Sequence, residues 1–568
     1  VPAAAISPQP VEGRRGMVVS DQALASAVGA EILRQGGNAV DAAVAVGYAQ
    51  AVVNPCCGNL GGGGFMTLRL ADGRAFVVDF REMAPGAATA DMYLDAKGAA
   101  IARASLDGWR AVGVPGTVMG LDTALTRFGS LPRAVVMAPA IRLAREGFLL
   151  TAADAAILAT GTQAFKADPT LAAIFLRDGL PLQPGERLVQ ADLAATLEAI
   201  AGDGPDAFYR GAVADKLATA SAAGGGLIAK ADLAAYRVPL RQPVTCSYRG
   251  YDIVSAPPPS SGGTALCELL NVLEAYPLGY LGFGSADTVH LMTEAMRHVY
   301  VDRNSALGDP DFVANPVDRL TSKAYAAAIR AGIDRDRATP SRDLGPGVAP
   351  HEGGQTTHYS VLDAAGNAVA VTTSLNAYFG ARVMAPGTGF LLNDTMDDFT
   401  IRPGAPNLFG LVQGAANAIA PGKRPLSSMT PTIVTRDGKP FLVLGSPGGA
   451  RIITAVAQAI VNVIDHGMTL QEAVDAPRIH HQWLPDLIYA EPFALSADTV
   501  RALAERGHRV VLQQPWGAVE AILSADARPA GAPLPSFADD TLKLWQPSPG
   551  TVYGANDNRR PAGAAAAP

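Results

Sequence analysis

Gly353-Gly354-Gln355-Thr356-Thr357-His358-Tyr359-Ser360-Val361 is the stretch on which the reading turns. A glycine break runs into an alternating strand that opens with two threonines. Threonine in mid-chain is a poor nucleophile. As the first residue of a chain it becomes a good one, because its own α-amino group takes the hydroxyl proton. That amine has an ordinary pKa of about 7.7–8.0, so it serves as a base near neutrality. Cleavage between Gln355 and Thr356 would therefore create a self-contained nucleophile and base. The same residues also describe a plain strand after a loop, so the choice depends on what lies opposite.

The next residues supply that context. Val361-Leu362-Asp363-Ala364-Ala365-Gly366-Asn367-Ala368-Val369 reads as strand, short Gly/Asn loop, strand. Centred on Ala365 and folded antiparallel, the hairpin sets Thr356 opposite Ser374, within one residue. By the two-residue period, Ala370, Thr372, Ser374 and Asn376 share a face. A hydroxyl and an amide are thus expected beside the candidate nucleophile.

Composition is that of a globular enzyme. The chain has 568 residues, 49% of them apolar, and a net charge of −7, which argues against a nucleic-acid partner. No run reaches the roughly 18 apolar residues that a membrane span needs. The longest candidate, Ile452–Ile464, is interrupted by Thr454, Gln458 and Asn462 and reads as a buried helix. The opening Val1-Pro2-Ala3-Ala4-Ala5 resembles a secretory precursor whose leader has been removed, so a periplasmic or secreted location is expected. Cys56, Cys57, Cys246 and Cys267 are too few for a disulfide scaffold and lack zinc-site spacing. They are expected to be mostly buried thiols, with at most one bridge, since adjacent Cys56 and Cys57 pair poorly with each other.

Along the chain, residues 1–15 read as loose. Ser20-Asp21 is expected to cap a helix through about Arg34, ended by Gly36-Gly37. Asn38–Val53 has helical spacing with small residues for close packing. Ala75–Phe80 reads as a strand ending at Arg81. Residues 120–240 read mainly as amphipathic helices, among them Ala134–Arg145 and Gln190–Ala201. A polar, proline-rich linker over 335–355 leads to the cut. Hairpin 356–376, loop 400–421, strand 432–446, helix 450–466 and a strand region near 509–523 follow. Residues 525–549 read as an insertion without an assigned role. Mixed strands and helices suit sheets covered by helices.

Gln355-Thr356-Thr357-His358-Tyr359-Ser360-Val361 resembles the processing site of the γ-glutamyltransferases, or glutathione hydrolases. Gly58–Met66, Asp79–Pro85 and Pro257–Gly263 resemble their large subunit. Met396–Phe399, Arg424–Met429 and Gly445–Gly449 resemble their small subunit. These motifs occur in the same order from about Gly16 to about Gly554. The resemblance implies a four-layer αββα N-terminal-nucleophile fold. It implies a large subunit, 1–355, and a small catalytic subunit, 356–568, produced by self-cleavage and held together. It also implies γ-glutamyl transfer from glutathione or related compounds to water, amino acids or dipeptides, with no cofactor and no metal.

The chemistry needs a nucleophile, a base, an oxyanion hole and a clamp for the non-reacting end of the substrate. Thr356 fills the first two roles, with Ser374 beside it. Gly448 and Gly449 offer backbone N–H groups for a developing oxyanion. They do not form an α/β-hydrolase elbow, because Leu444 stands where a glycine is required. A γ-glutamyl group ends in an α-carboxylate and an α-ammonium. Arg81, Ser427 and Ser428 match the family's carboxylate binders, Asp398 matches its ammonium binder, and Asn376 matches a contact to the same end. Asn393–Asp398 lacks the glycine and glutamate of a calcium loop. His480-His481 resembles a family segment and is read as structural.

Three positions depart from the pattern. Ser374 stands where many relatives have Thr, which preserves the hydroxyl. Thr395 stands where Gln or Glu is common near the substrate amine. Phe409, in the lid-like loop 400–421, stands where Tyr is frequent, so it has no hydroxyl to tether the lid to Asn376. Trp516 is expected either in the core or on the acceptor side. The nearest rival function is a glutaryl- or cephalosporin-type acylase, against which Asp398 argues; a non-catalytic scaffold is the other alternative.

Overall fold

The computed structural model describes residues 9–344, 356–527 and 547–568. Two antiparallel seven-stranded sheets lie face to face. The first runs Ala564–Ala566, Gly16–Ser20, Thr357–Asp363, Ala368–Ser374, Gly63–Arg69, Ala75–Asp79, Leu240–Arg241. The second runs Val11–Gly13, Val552–Ala555, Glu520–Ser524, Lys439–Gly445, Thr432–Arg436, Tyr251–Ser255, Val244–Tyr248.

Side-chain alternation sorts the layers. Leu362, Ala368 and Ala370 of the first sheet meet Ile433, Val443 and Ile522 of the second in an inner core. Their neighbours Val361, Val369 and Val371 point the other way, into the core under helices Ala23–Arg34 and Ala39–Val53. Helices Gly262–Leu273, Ala286–Ala306 and Ile452–Ile464 cover the far face of the second sheet. This is the αββα sandwich of the N-terminal-nucleophile hydrolases.

Helix Ala39–Val53 is buried along its whole length, so it carries apolar residues all round. Asn38 and Asp41 close its N-terminus as a capping box. Gly47 lets it approach the sheet: a Cβ there would lie 2.7 Å from the Tyr359 hydroxyl.

Several expectations need correction. Helix Ala23–Arg34 has Gln22 at its N-cap and no side-chain cap. Ser20 belongs to a strand, and Asp21 turns inward to accept hydrogen bonds from Gln50 and Asn54. Val11–Gly13, expected loose, is an edge strand paired with Val552–Ala555. The single strand 432–446 is a hairpin that reverses at Asp437-Gly438, where both φ angles are positive (50° and 72°). The region 509–523 splits between Val510–Leu512, in a small three-stranded sheet, and Glu520–Ser524. Of the linker 335–355, residues 345–355 lie outside the described residues, as does 528–546 of the insertion. Arg335–Arg337 are exposed as expected, but Ser341 is buried.

The cysteine reading is also overturned. Cys246 and Cys267 form a disulfide with Cα atoms 5.8 Å apart, pinning a strand to helix Gly262–Leu273. Cys56 and Cys57 are bonded to each other, and no cysteine is free. Both half-cystines are buried in the protein interior, a constraint that chain spacing does not reveal. Among the described residues, no helix is long and apolar enough to cross a membrane.

Candidate active site

The register of the central hairpin places the nucleophile. Thr357 pairs with Thr373, which sets Thr356 across from Ser374 as the centring on Ala365 requires. The Thr356 hydroxyl donates to Ser374 Oγ at 3.4 Å, and that oxygen also accepts the Asn376 N–H at 2.8 Å. Asn376 lies past the strand end with a φ of 82°, so it leaves the sheet instead of continuing its face.

Neighbouring side chains lock both strands. Thr357 donates to Asp21 Oδ1 at 2.7 Å, and Asn59 donates to Thr373 Oγ1 at 3.3 Å. His358 sits between the sheets, hydrogen-bonded to Thr372 and Ser360 at 2.8 and 3.1 Å. Burial drives its pKa down to about 3, so it is a neutral spacer. Gln355, the other half of the expected cleavage site, lies outside the described residues.

Thr356 opens into a small pocket with Ser374, Asn376, Asp398, Arg81, Ser427, Ser428, Gly449 and Phe409. Arg81 follows strand Ala75–Asp79 and is 1% exposed. Its guanidinium donates to Asp398, to Glu82 Oε2 at 3.2 Å and to the Pro425 carbonyl at 3.2 Å. Burial works against the Arg81 charge, but Glu82 and Asp398 outweigh it and raise its pKa. Burial pushes the Asp398 carboxyl up, against the pull of Arg81. Asp398 closes the short turn Thr395–Asp398 and faces Arg81 across the pocket.

Arg303 is the pocket residue that sequence reasoning missed. It projects from helix Ala286–Ala306 and donates to Ser428 Oγ at 3.0 Å, Ser261 Oγ at 3.1 Å and Gln413 Oε1 at 3.2 Å. Burial lowers its pKa to about 10. Its signal was positional: Met296, Val299 and Tyr300 mark a buried helical face, and Arg303 continues it.

Two expected residues sit elsewhere. Thr395 is buried but does not line the pocket; its hydroxyl donates to Glu82 Oε1 at 2.8 Å. Its short side chain cannot reach past Glu82, the neighbour of Arg81. Gly448 lines an adjoining cavity, whereas Gly449 faces Thr356. Their φ angles are 131° and 56°, consecutive values that glycine adopts at least cost.

Phe409 borders both spaces. Without a tyrosine hydroxyl, its loop is held from other directions. The Leu408 N–H donates to Asp397 Oδ2 at 2.8 Å, and Gln482 Nε2 donates to the carbonyls of Phe409 and Gly410 at 3.2 and 3.3 Å. His480 holds Gln482 Oε1 at 2.9 Å, and His481 contacts Asp486 at 3.3 Å, so both histidines are structural. The acidic run at 393–398 is likewise engaged: Asp394 accepts from Ala377, and Asp397 accepts from Ser105 and Leu408. Trp516 is 7% exposed and lines the cavity beyond Phe409. A metal-ligand type of cluster, His290, Glu294 and His508, shares no residue with the pocket. Its Glu294 already pairs with Arg297 and accepts from Thr339.

The family model of the gamma-glutamyltranspeptidases matches residues 25–566. The chain belongs to the gamma-glutamyltranspeptidase family. It is 55% identical over 562 residues to a glutathione hydrolase proenzyme of Pseudomonas sp. (strain A14), covering 99% of this chain and 96% of that one. It is 51% identical to a glutathione hydrolase proenzyme of Escherichia coli (strain K12), over 94% of this chain and 92% of the other. Among solved structures, a cephalosporin acylase from Bacillus halodurans superposes with a TM-score of 0.84 at 27% identity, covering 100% of this chain and 98% of that one.

Proposed function

We propose that this family member cuts itself between Gln355 and Thr356 and then transfers γ-glutamyl groups from glutathione or related donors to water or amines. One observation carries the reading. The pocket around Thr356 has Arg81, Arg303 and Asp398 as its charged lining groups. A γ-glutamyl zwitterion supplies the carboxylate that the arginines attract and the ammonium that Asp398 attracts. Arg81 and Asp398 pair with each other here, so a donor of this class replaces each partner by one of like charge. The pocket holds about 20 Å³, room for one or two waters, so donor entry parts that pair.

The chemistry follows from the positions. Cleavage frees the Thr356 α-amine, which takes the hydroxyl proton as Oγ attacks the donor's γ-carbonyl. The carbonyl oxygen becomes an oxyanion beside Gly448 and Gly449. Collapse breaks the amide C–N bond, and the amine returns the proton to the leaving nitrogen. Water or an amine then attacks the resulting ester and releases Thr356 Oγ by the reverse proton path.

Both expected subunits, 1–355 and 356–568, contribute strands to each sheet. Thr357–Asp363 pairs with Gly16–Ser20, and Ala368–Ser374 pairs with Gly63–Arg69, so the halves stay locked after a cut. Two disulfides and no free thiol support a periplasmic or secreted setting.

The structural similarity to a cephalosporin acylase keeps a second reading in view, in which a glutaryl-type acyl group is removed. Such a group lacks the ammonium, which leaves Asp398 without a task. Side-by-side turnover of a γ-glutamyl anilide and a glutaryl anilide tests the choice. Preference for the γ-glutamyl compound supports the proposal; preference for the glutaryl compound reverses it.

A further inference from the structure

Arg303 reaches the Thr356 pocket from helix Ala286–Ala306 and is 1% exposed. Its hydrogen bonds to neutral oxygens use all three guanidinium nitrogens. Nε donates to Ser261 Oγ, and one terminal nitrogen donates to Ser428 Oγ. The other donates to Gln413 Oε1 and to Asn304 Oδ1, the latter at 2.9 Å. Only a planar guanidinium offers donors in these fixed directions; a lysine ammonium has no such fork.

Each bond decides which way a neighbour points, because a guanidinium donates and never accepts. Ser428 Oγ accepts from Arg303, so its own hydrogen turns toward a different acceptor, and Ser428 lines the pocket. Ser261 Oγ also accepts from Arg303 and donates to the Ser427 carbonyl at 2.7 Å, which fixes the backbone of the serine pair. Gln413 turns its side-chain oxygen to Arg303. That leaves Nε2 to donate to the Asp398 carbonyl at 3.1 Å. Asn417 completes the link, donating to the same carbonyl at 2.7 Å and to Gln413 Oε1 at 3.0 Å.

The two ends of the pocket thus meet at one side chain. Ser428 belongs to the carboxylate side and Asp398 to the ammonium side. Gln413 and Asn417, which join Arg303 to Asp398, are buried. Arg303 and Ser261 precede the expected cut, whereas Asp398, Gln413 and Ser428 follow it, so the linkage crosses between the two halves of the chain.

We propose that Arg303 is a positioning residue for both ends of the γ-glutamyl group: it aims the Ser428 hydroxyl at the α-carboxylate and, through Gln413, holds Asp398 in place for the α-ammonium. The inference rests on the γ-glutamyl reading of the Thr356 pocket. It gives Arg303 a task different from that of Arg81, which pairs with Asp398 directly.

The test uses three donors: a γ-glutamyl anilide, its α-carboxamide, which lacks the carboxylate, and a glutaryl anilide, which lacks the ammonium. The readouts are two ratios of kcat/KM, the γ-glutamyl anilide over each of the others, within one preparation. A loss of active enzyme cancels from both, so a merely structural role moves neither. The native protein is expected to favour the γ-glutamyl anilide over each by at least about tenfold, as for hydrogen bonds to charged groups. In Arg303→Gln both ratios should fall by at least about threefold. In Gln413→Leu, which cuts only the link to Asp398, the ratio to the glutaryl anilide should fall and the ratio to the α-carboxamide should hold. This variant also serves if Arg303→Gln does not mature. Either ratio unmoved in Arg303→Gln, or the glutaryl ratio unmoved in Gln413→Leu, overturns the assignment. A native protein that prefers the glutaryl anilide would instead count against the γ-glutamyl reading.

Discussion

The Phe409 ring lies against Gly449: a Cβ placed on that glycine would sit 2.2 Å from ring carbon Cδ1. Lid and oxyanion turn are therefore in direct contact, and the same ring lines both the Thr356 pocket and the adjoining cavity. Anything that moves the ring changes what reaches the acyl-enzyme.

Phe409→Ala should join the two spaces and admit water to the ester. The ratio of glutamate to γ-glutamyl-dipeptide, at fixed donor and acceptor, should rise. Phe409→Tyr should lower it by no more than roughly 1 kcal/mol, the net worth of one ordinary hydrogen bond. If neither substitution moves the ratio, Phe409 does not gate the ester.

Recognition of the glutamyl end rests on a buried pair. Removing one half of such a pair costs about 2–5 kcal/mol, because the other charge is left without compensation. Arg81→Ala should therefore lose most γ-glutamyl turnover while Asp398 and Glu82 remain buried. Asp398→Asn should lower γ-glutamyl turnover and raise the relative acceptance of glutaryl amides. An equal fall for both donors would mean a damaged pocket and no selective role for Asp398.

His358 predicts an acid-side instability. Its folded pKa, about 3, lies below the ordinary 6.5. Between those values the unfolded chain binds a proton that the folded one does not. Stability is therefore fully present above about pH 6.5 and is lost as pH falls toward 3, at up to about 1.4 kcal/mol per pH unit. His480 and His481 are lowered by burial too and add to the same limb. His358→Gln should flatten the fall by about one proton in unfolding measured at a series of pH values. An unchanged slope would show that His358 does not remain neutral there.

The sequence disclosed the site through local features. The Ala365 centring gave the Thr356–Ser374 register because a short hairpin loop fixes its strands. Arg81, Asp398, Ser427 and Ser428 converge on one pocket as their motifs implied. What stayed hidden was set by distant partners. Arg303 looks like any charge on a long helix until Ser428 and Ser261 surround it. Thr395 was expected near the substrate amine, but Glu82, far away in the chain, captures its hydroxyl. Asp21 reads as a helix cap only while Gln50, Asn54 and Thr357 are out of sight.

The central claim is that Thr356 acts as the first residue of a chain it has itself released. Intact-mass measurement and N-terminal sequencing of purified protein test it most directly. The native protein should resolve into fragments spanning 1–355 and 356–568, the second beginning Thr-Thr-His-Tyr, while Thr356→Ala stays whole. Cleavage of Thr356→Ala at the same bond, or a native protein that remains one uncut chain yet turns over a γ-glutamyl anilide, would contradict it.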